Sequence, residues 1–145
     1  VWETSHIKGH RFAATLMLMP WAYSYGRMNV EAAHALIEHA SKGLYFLPGN
    51  RGRGTLSAPA QAAELAVATA LTEQGVRLGI DQLEVTAVDT AEKAATVRVE
   101  DTHAQQSYDV VLEKRPVEGV VASCGDAPKT GATWVVTCMR EALPR

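Results

Sequence analysis

A chain of 145 residues and 15.6 kDa has room for one domain or two small ones, which excludes a large multidomain enzyme. With 47% hydrophobic and 21% charged residues it can bury a core, so composition excludes a disordered chain, and no run nears the roughly 18 apolar residues of a membrane span. A net charge of −2 and a pI near 6.2 exclude the basic excess of a general nucleic-acid binder, so neither nucleic acid nor membrane is an expected partner.

In chain order, residues 12–19 (FAATLMLM) form an uncharged apolar run closed by Pro20. Its length suits a strand buried on both faces, with a buried helix as the alternative. Residues 22–28 (AYSYGRM) place Tyr23 and Tyr25 on one side of a period-2 alternation, and the Pro20–Trp21 break between the runs suits a β-hairpin. Asn29 can cap a helix over 30–42, where Val30, Ala33, Leu36, Ile37 and Ala40 recur at helical spacing and Gly43 supplies a left-handed stop. After the short apolar run 44–47, PGNRGRG (48–54) reads as a loop by composition. A second helix is predicted at about 57–74, opened by Ser57 and Pro59, given apolar spacing by Leu65, Val67, Ala68 and Leu71, and ended by Gly75. Beyond residue 78 the texture alternates: LEVTAV (83–88), ATVRVE (95–100), SYDVVLEK (107–114) and TWVVTC (133–138) read as strands of an antiparallel region.

Charge is unevenly spread. Residues 1–54 hold six Lys and Arg against three Asp and Glu, while residues 55–145 hold eight against thirteen. Four of the five histidines also lie in the first part, so anion or redox chemistry is expected at this basic front. The sharpest local feature is His6-Ile7-Lys8-Gly9-His10, two imidazoles four residues apart in a bend that Gly9 permits. Neutral imidazole suits zinc, iron or copper, but a metal site needs further ligands; the competing reading is two polar histidines in a surface loop. Cys124 and Cys138 cannot alone form a disulfide framework or a four-cysteine site, so reduced thiols and a cytoplasmic setting are expected. The GNRGRG segment can also be read as an anion cradle, with Arg51 and Arg53 as contacts; it lacks the Lys-Ser/Thr element of a phosphate-binding P-loop. A start at Val1 rather than Met suggests a piece of a longer protein.

The stretch W-E-T-S-H-I-K-G-H-R-F-A-A-T (2–15), followed by an apolar strand and Y-G-R (25–27), resembles the sucrase/ferredoxin-like family. R-G-R-G (51–54), A-Q-A-A-E-L (60–65) and S-C-G (123–125) extend the resemblance over most of the chain. It implies a thioredoxin-like ferredoxin fold with a [2Fe–2S] cluster held by two cysteines and by the two histidines of H-x3-H, here His6 and His10. Two departures stand out. Lys8 replaces the usual glycine, and the family's cysteine ligands fall upstream of the motif, where this chain has five residues and no Cys. Two imidazoles in place of two thiolates make a cluster less negative and raise its potential, and imidazole protonation links electron transfer to pH. The expectation is therefore an α+β chain. Residues 1–54 would form the C-terminal half of a thioredoxin-like ferredoxin domain (β-hairpin plus helix), 55–77 a connecting helix and 78–145 a small antiparallel β-rich region. Electron transfer to an unidentified redox partner is expected in the intact parent rather than hydrolysis, with Lys8, Arg11, Arg27, Arg51 and Arg53 steering an acidic partner or forming a solvated face. The alternatives are a cluster-free binding or structural fragment that self-associates through an open strand edge, and a zinc site shared by His6 and His10 across a homodimer.

Overall fold

Alternation of Tyr23, Ser24 and Tyr25 seeds the first sheet in the computed structural model, which describes residues 10–121 and 125–142. Strands β1 (Leu16–Leu18) and β2 (Tyr23–Tyr25) form the expected antiparallel hairpin, with Leu16 opposite Tyr25 and Leu18 opposite Tyr23. Both tyrosines are buried, but the apolar run is not covered on both faces: Met17 in β1 is 46% exposed and Met19 just beyond it 63%. The apolar run is shorter as a strand than predicted because His10–Phe12 coil into a 3-10 turn. The carbonyls of Phe12 and Ala14 then accept from the amides of Arg27 (2.7 Å) and Met28 (3.0 Å). Among the described residues this leaves β1 as a three-residue edge strand.

Helix α1 (Val30–Ser41) begins and ends where its punctuation predicts. The Asn29 side chain accepts from the Ala32 amide at 2.8 Å, satisfying a donor that the first turn leaves unpaired. Gly43, at φ +67°, and Leu44 return their amides to Ala40 and His39, closing the far end by a Schellman motif. An Asn29→Ala change is expected to lower stability by about 1 kcal/mol, read as a shifted urea midpoint with unchanged slope.

The glycine-rich segment predicted as a loop is instead strand β3 (Asn50–Arg53), antiparallel to β2. Its glycines serve close approach rather than looseness. A Cβ on Gly52 would lie 2.7 Å from the Gln61 Cβ, and φ there is +95°. Gln61 in turn donates its side-chain amide to the carbonyls of Arg53 and Leu56, tying β3 to the next helix.

That helix, α2 (Ala58–Glu73), carries Pro59 in its first turn and ends in a second Schellman closure at Gly75 (φ +85°). Its buried stripe runs through Ala60, Ala63, Glu64, Val67, Ala68 and Leu71. The small residues let α2 approach both β3 and the second sheet. The latter comprises β4 (Leu83–Thr90), β5 (Ala94–Asp101), β6 (Gln106–Val120) and β7 (Lys129–Ala142), antiparallel throughout in that order. Its inner face presents Leu83, Ala95, Val97, Val99, Val110 and Leu112 to a core shared with Tyr23, Tyr25 and the α2 stripe. On the partly exposed outer face, the directly opposed pair Arg98 and Asp109 forms a bidentate ion pair with both contacts at 2.7 Å. Pairing of β5 with β6 stops at Glu113, whereas β6 and β7 continue to Val120 and Lys129, so the pair extends as a two-stranded arm.

The architecture is α+β: among the described residues, two α-helices and two antiparallel sheets. No helix there is long and apolar enough to cross a membrane.

Candidate functional site

His6 lies outside the described residues, as does the side chain of His10, whose backbone opens the 3-10 turn. Immediately after the histidine pair, the chain builds a cationic surface on Phe12. The ring carries the Arg51 guanidinium 3.7 Å from its centroid and the Arg11 guanidinium at 4.6 Å. Arg51 reaches Phe12 from β3, and Gly26 lies beneath: a Cβ there would come within 2.8 Å of the Phe12 Cβ. Burial and then the neighbouring charge of Arg11 hold the Arg51 guanidinium below its ordinary pKa. Two cations are thus stacked on one ring, stabilised by its π face and opposed by their mutual repulsion.

Arg53, the other predicted anion contact, has a different environment. Its guanidinium is turned into the core, where it pairs with Glu64 and donates to the Tyr23 hydroxyl (2.7 Å) and the Leu83 carbonyl (3.0 Å). The Tyr23 hydroxyl donates to Glu64 Oε1 at 2.7 Å, and the Tyr45 ring meets Tyr23 edge-on at 5.2 Å between centroids. Burial works to lower the Arg53 pKa, but the charge and hydrogen bonding of Glu64 and Tyr23 together outweigh it and hold the cation. Burial first, then Glu64, pushes the Tyr23 and Tyr45 hydroxyls well above the ordinary phenol range, and Tyr25 moves the same way for the same two reasons. Glu64 Oε2, Arg53 Nε and the Tyr45 hydroxyl lack a hydrogen-bond partner in the buried interior. The cluster therefore supplies one tightly held ion pair that joins β2, β3, α2 and the start of β4. Neutral tyrosines surround the pair.

Glu64 is easily overlooked in the sequence because a carboxylate on a helix is expected to face water. The available signal is its place in the stripe 60, 63, 64, 67, 68, 71, every other member of which is apolar. A second buried carboxylate, Asp101, accepts both contacts of the Gln82 side-chain amide at 2.9 Å and the amides of His103 and Ala104 at 3.0 Å. It is a fully engaged acceptor that folds the β5–β6 turn.

Among the described residues no group of three or more His, Cys, Asp and Glu side chains could hold a metal. Cys138 lies half-buried on β7, its sulfur receiving the Arg140 Nε at 3.2 Å, and Cys124 falls outside the described residues. His39 is occupied with the Ala35 carbonyl through Nδ1 (2.8 Å) and rests on the Phe46 ring. The described residues do not by themselves compose a ligand set for an iron–sulfur cluster. Comparison of the chain with protein-family models, with curated proteins and with solved structures finds no match to any of them.

Proposed function

We propose that the chain belongs to an electron-transfer protein of the sucrase/ferredoxin-like kind, in which His6 and His10 are the imidazole ligands of a [2Fe–2S] cluster and the thiolates come from the intact parent. The observation that carries this reading is the hairpin–helix unit β1–β2–α1, which directly follows the H-x3-H segment and whose outer strand β1 has no further strand beside it among the described residues. Such a unit is what the C-terminal half of a thioredoxin-like ferredoxin domain contributes, and that edge is where the other half would pair. Further support comes from the anchoring of the 3-10 turn: the amides of Arg27 and Met28 hold the backbone just beyond His10 against the sheet. The cluster, when bound, supplies one-electron exchange, and its partner protein is unidentified.

The test is metal and sulfide analysis of the native protein purified without oxygen. About two iron atoms and two sulfides per chain are expected, with a visible spectrum altered by His6→Ala and by His10→Ala. A colourless, iron-free native protein contradicts the reading. The same β1 edge, unpaired among the described residues and accompanied by the exposed Met17 and Met19, favours a second reading in which the chain self-associates without a cluster. A concentration-dependent dimer in sedimentation, together with absent iron, would select it.

A further inference from the structure

We propose that the open cleft between the 3-10 turn and the β6–β7 arm binds an organic phosphate, its oxyanion gripped by Arg11 and Arg27 and its apolar part resting on the valines of the arm. The cleft measures about 490 Å³ and is lined on one side by Arg11, Phe12 and Arg27 and on the other by Val117, Val120 and Val121. This lies within the range of small-molecule sites, about 300–1,000 Å³. The inference does not depend on the cluster reading.

Charge is the first observation. Arg11 and Arg51 are held together on the Phe12 ring against their repulsion, and Arg11 lines the cleft together with Arg27. Among the described residues, the ion pairs are made by Lys42, Arg53, Arg98 and Arg115, and by none of these three arginines. Guanidinium groups that pair with no carboxylate among the described residues suit a multivalent oxyanion, which two planar forks can grip bidentately.

The second observation is the backbone of Arg27. It sits at φ +57°, a region that side-chain-bearing residues rarely occupy and glycine occupies freely. Three backbone hydrogen bonds fix this turn: Gly26 to the Gly49 carbonyl (2.9 Å), Arg27 to Phe12 (2.7 Å) and Met28 to Ala14 (3.0 Å). An arginine where glycine is the easier residue, pinned so that its side chain lines a cleft, points to a use for the guanidinium.

The third observation selects an organic phosphate over a bare one. Val117 and Val121 are each 39% exposed on the far wall, and an inorganic anion would leave them in water. A ligand with an apolar group beside its phosphate covers them.

Isothermal titration of the chain with phenyl phosphate, inorganic phosphate and phenol tests the site. Phenyl phosphate is expected to bind about fivefold or more tighter than phosphate, because the ring buries apolar surface, and phenol is expected not to bind. Arg27→Gly keeps the backbone conformation, so it should leave the thermal midpoint within about 3 °C while weakening phenyl phosphate about tenfold or more. Arg11→Gln should weaken it comparably, and Val117→Ala should shrink the preference for phenyl phosphate over phosphate. Undiminished binding by the folded Arg27→Gly protein, or equal affinity for phosphate and phenyl phosphate, overturns the proposal.

Discussion

Replacing Glu64 by Ala is expected to lower the free energy of unfolding by about 3–5 kcal/mol. The carboxylate is fully buried, and its loss strands the Arg53 guanidinium, only 22% exposed, among Tyr23, the Leu83 carbonyl and the α2 stripe. The penalty comes from the cation left behind rather than from the net worth of the pair, since two desolvated charges recover in attraction little more than they lose in hydration. The double change Arg53→Met, Glu64→Leu should therefore be markedly more stable than Glu64→Ala alone. Urea denaturation of Arg53→Met, Glu64→Leu and the double variant closes the cycle. A Glu64→Ala protein within about 1 kcal/mol of the parent would show that the pair is solvated rather than buried.

Leu112→Ala should cost about 2–5 kcal/mol, the range for removing a leucine from a core that cannot collapse around the void. Leu112 on β6 is fully buried against the face that α2 covers, while the adjacent Val111 points outward at 37% exposure. Val111→Ala is thus the matched control, expected to change stability by no more than about 0.5 kcal/mol. Comparable losses from the two would mean that β6 is shifted by one residue, since a one-step slip exchanges the two faces of a strand.

Where local chemistry and tertiary packing agree, the fold is legible in the residues. Asn29 and Gly43 bracket α1 because capping is a property of the chain itself, and Tyr23 and Tyr25 declare a buried face by alternation. Strand β3 is not legible, because glycines that permit close contact with Gln61 look the same in sequence as glycines that permit flexibility. The lengths of β6 and β7 are hidden in the same way. Residues 113–119 are exposed throughout, so they show no alternation, and Pro116 argues against a strand. It is tolerated because β6 has only β7 beside it beyond Glu113.

The sites divide similarly. Arg51 and Arg53 stand two residues apart in sequence, and the fold sends one onto the Phe12 surface and the other toward Glu64 in the core. Nothing in composition separates them; only the partner elements do. The left-handed backbone of Arg27 likewise has no sequence signal, since it is imposed by hydrogen bonds to Phe12 and Ala14, which the 3-10 turn brings alongside. His6 and His10, by contrast, stand out from spacing alone.

The most direct test of the electron-transfer account is pulsed paramagnetic resonance of the dithionite-reduced native protein. The account predicts hyperfine couplings from two imidazole nitrogens, one lost in His6→Ala and the other in His10→Ala. A reduced cluster with no nitrogen coupling, or couplings that survive both substitutions, would contradict it.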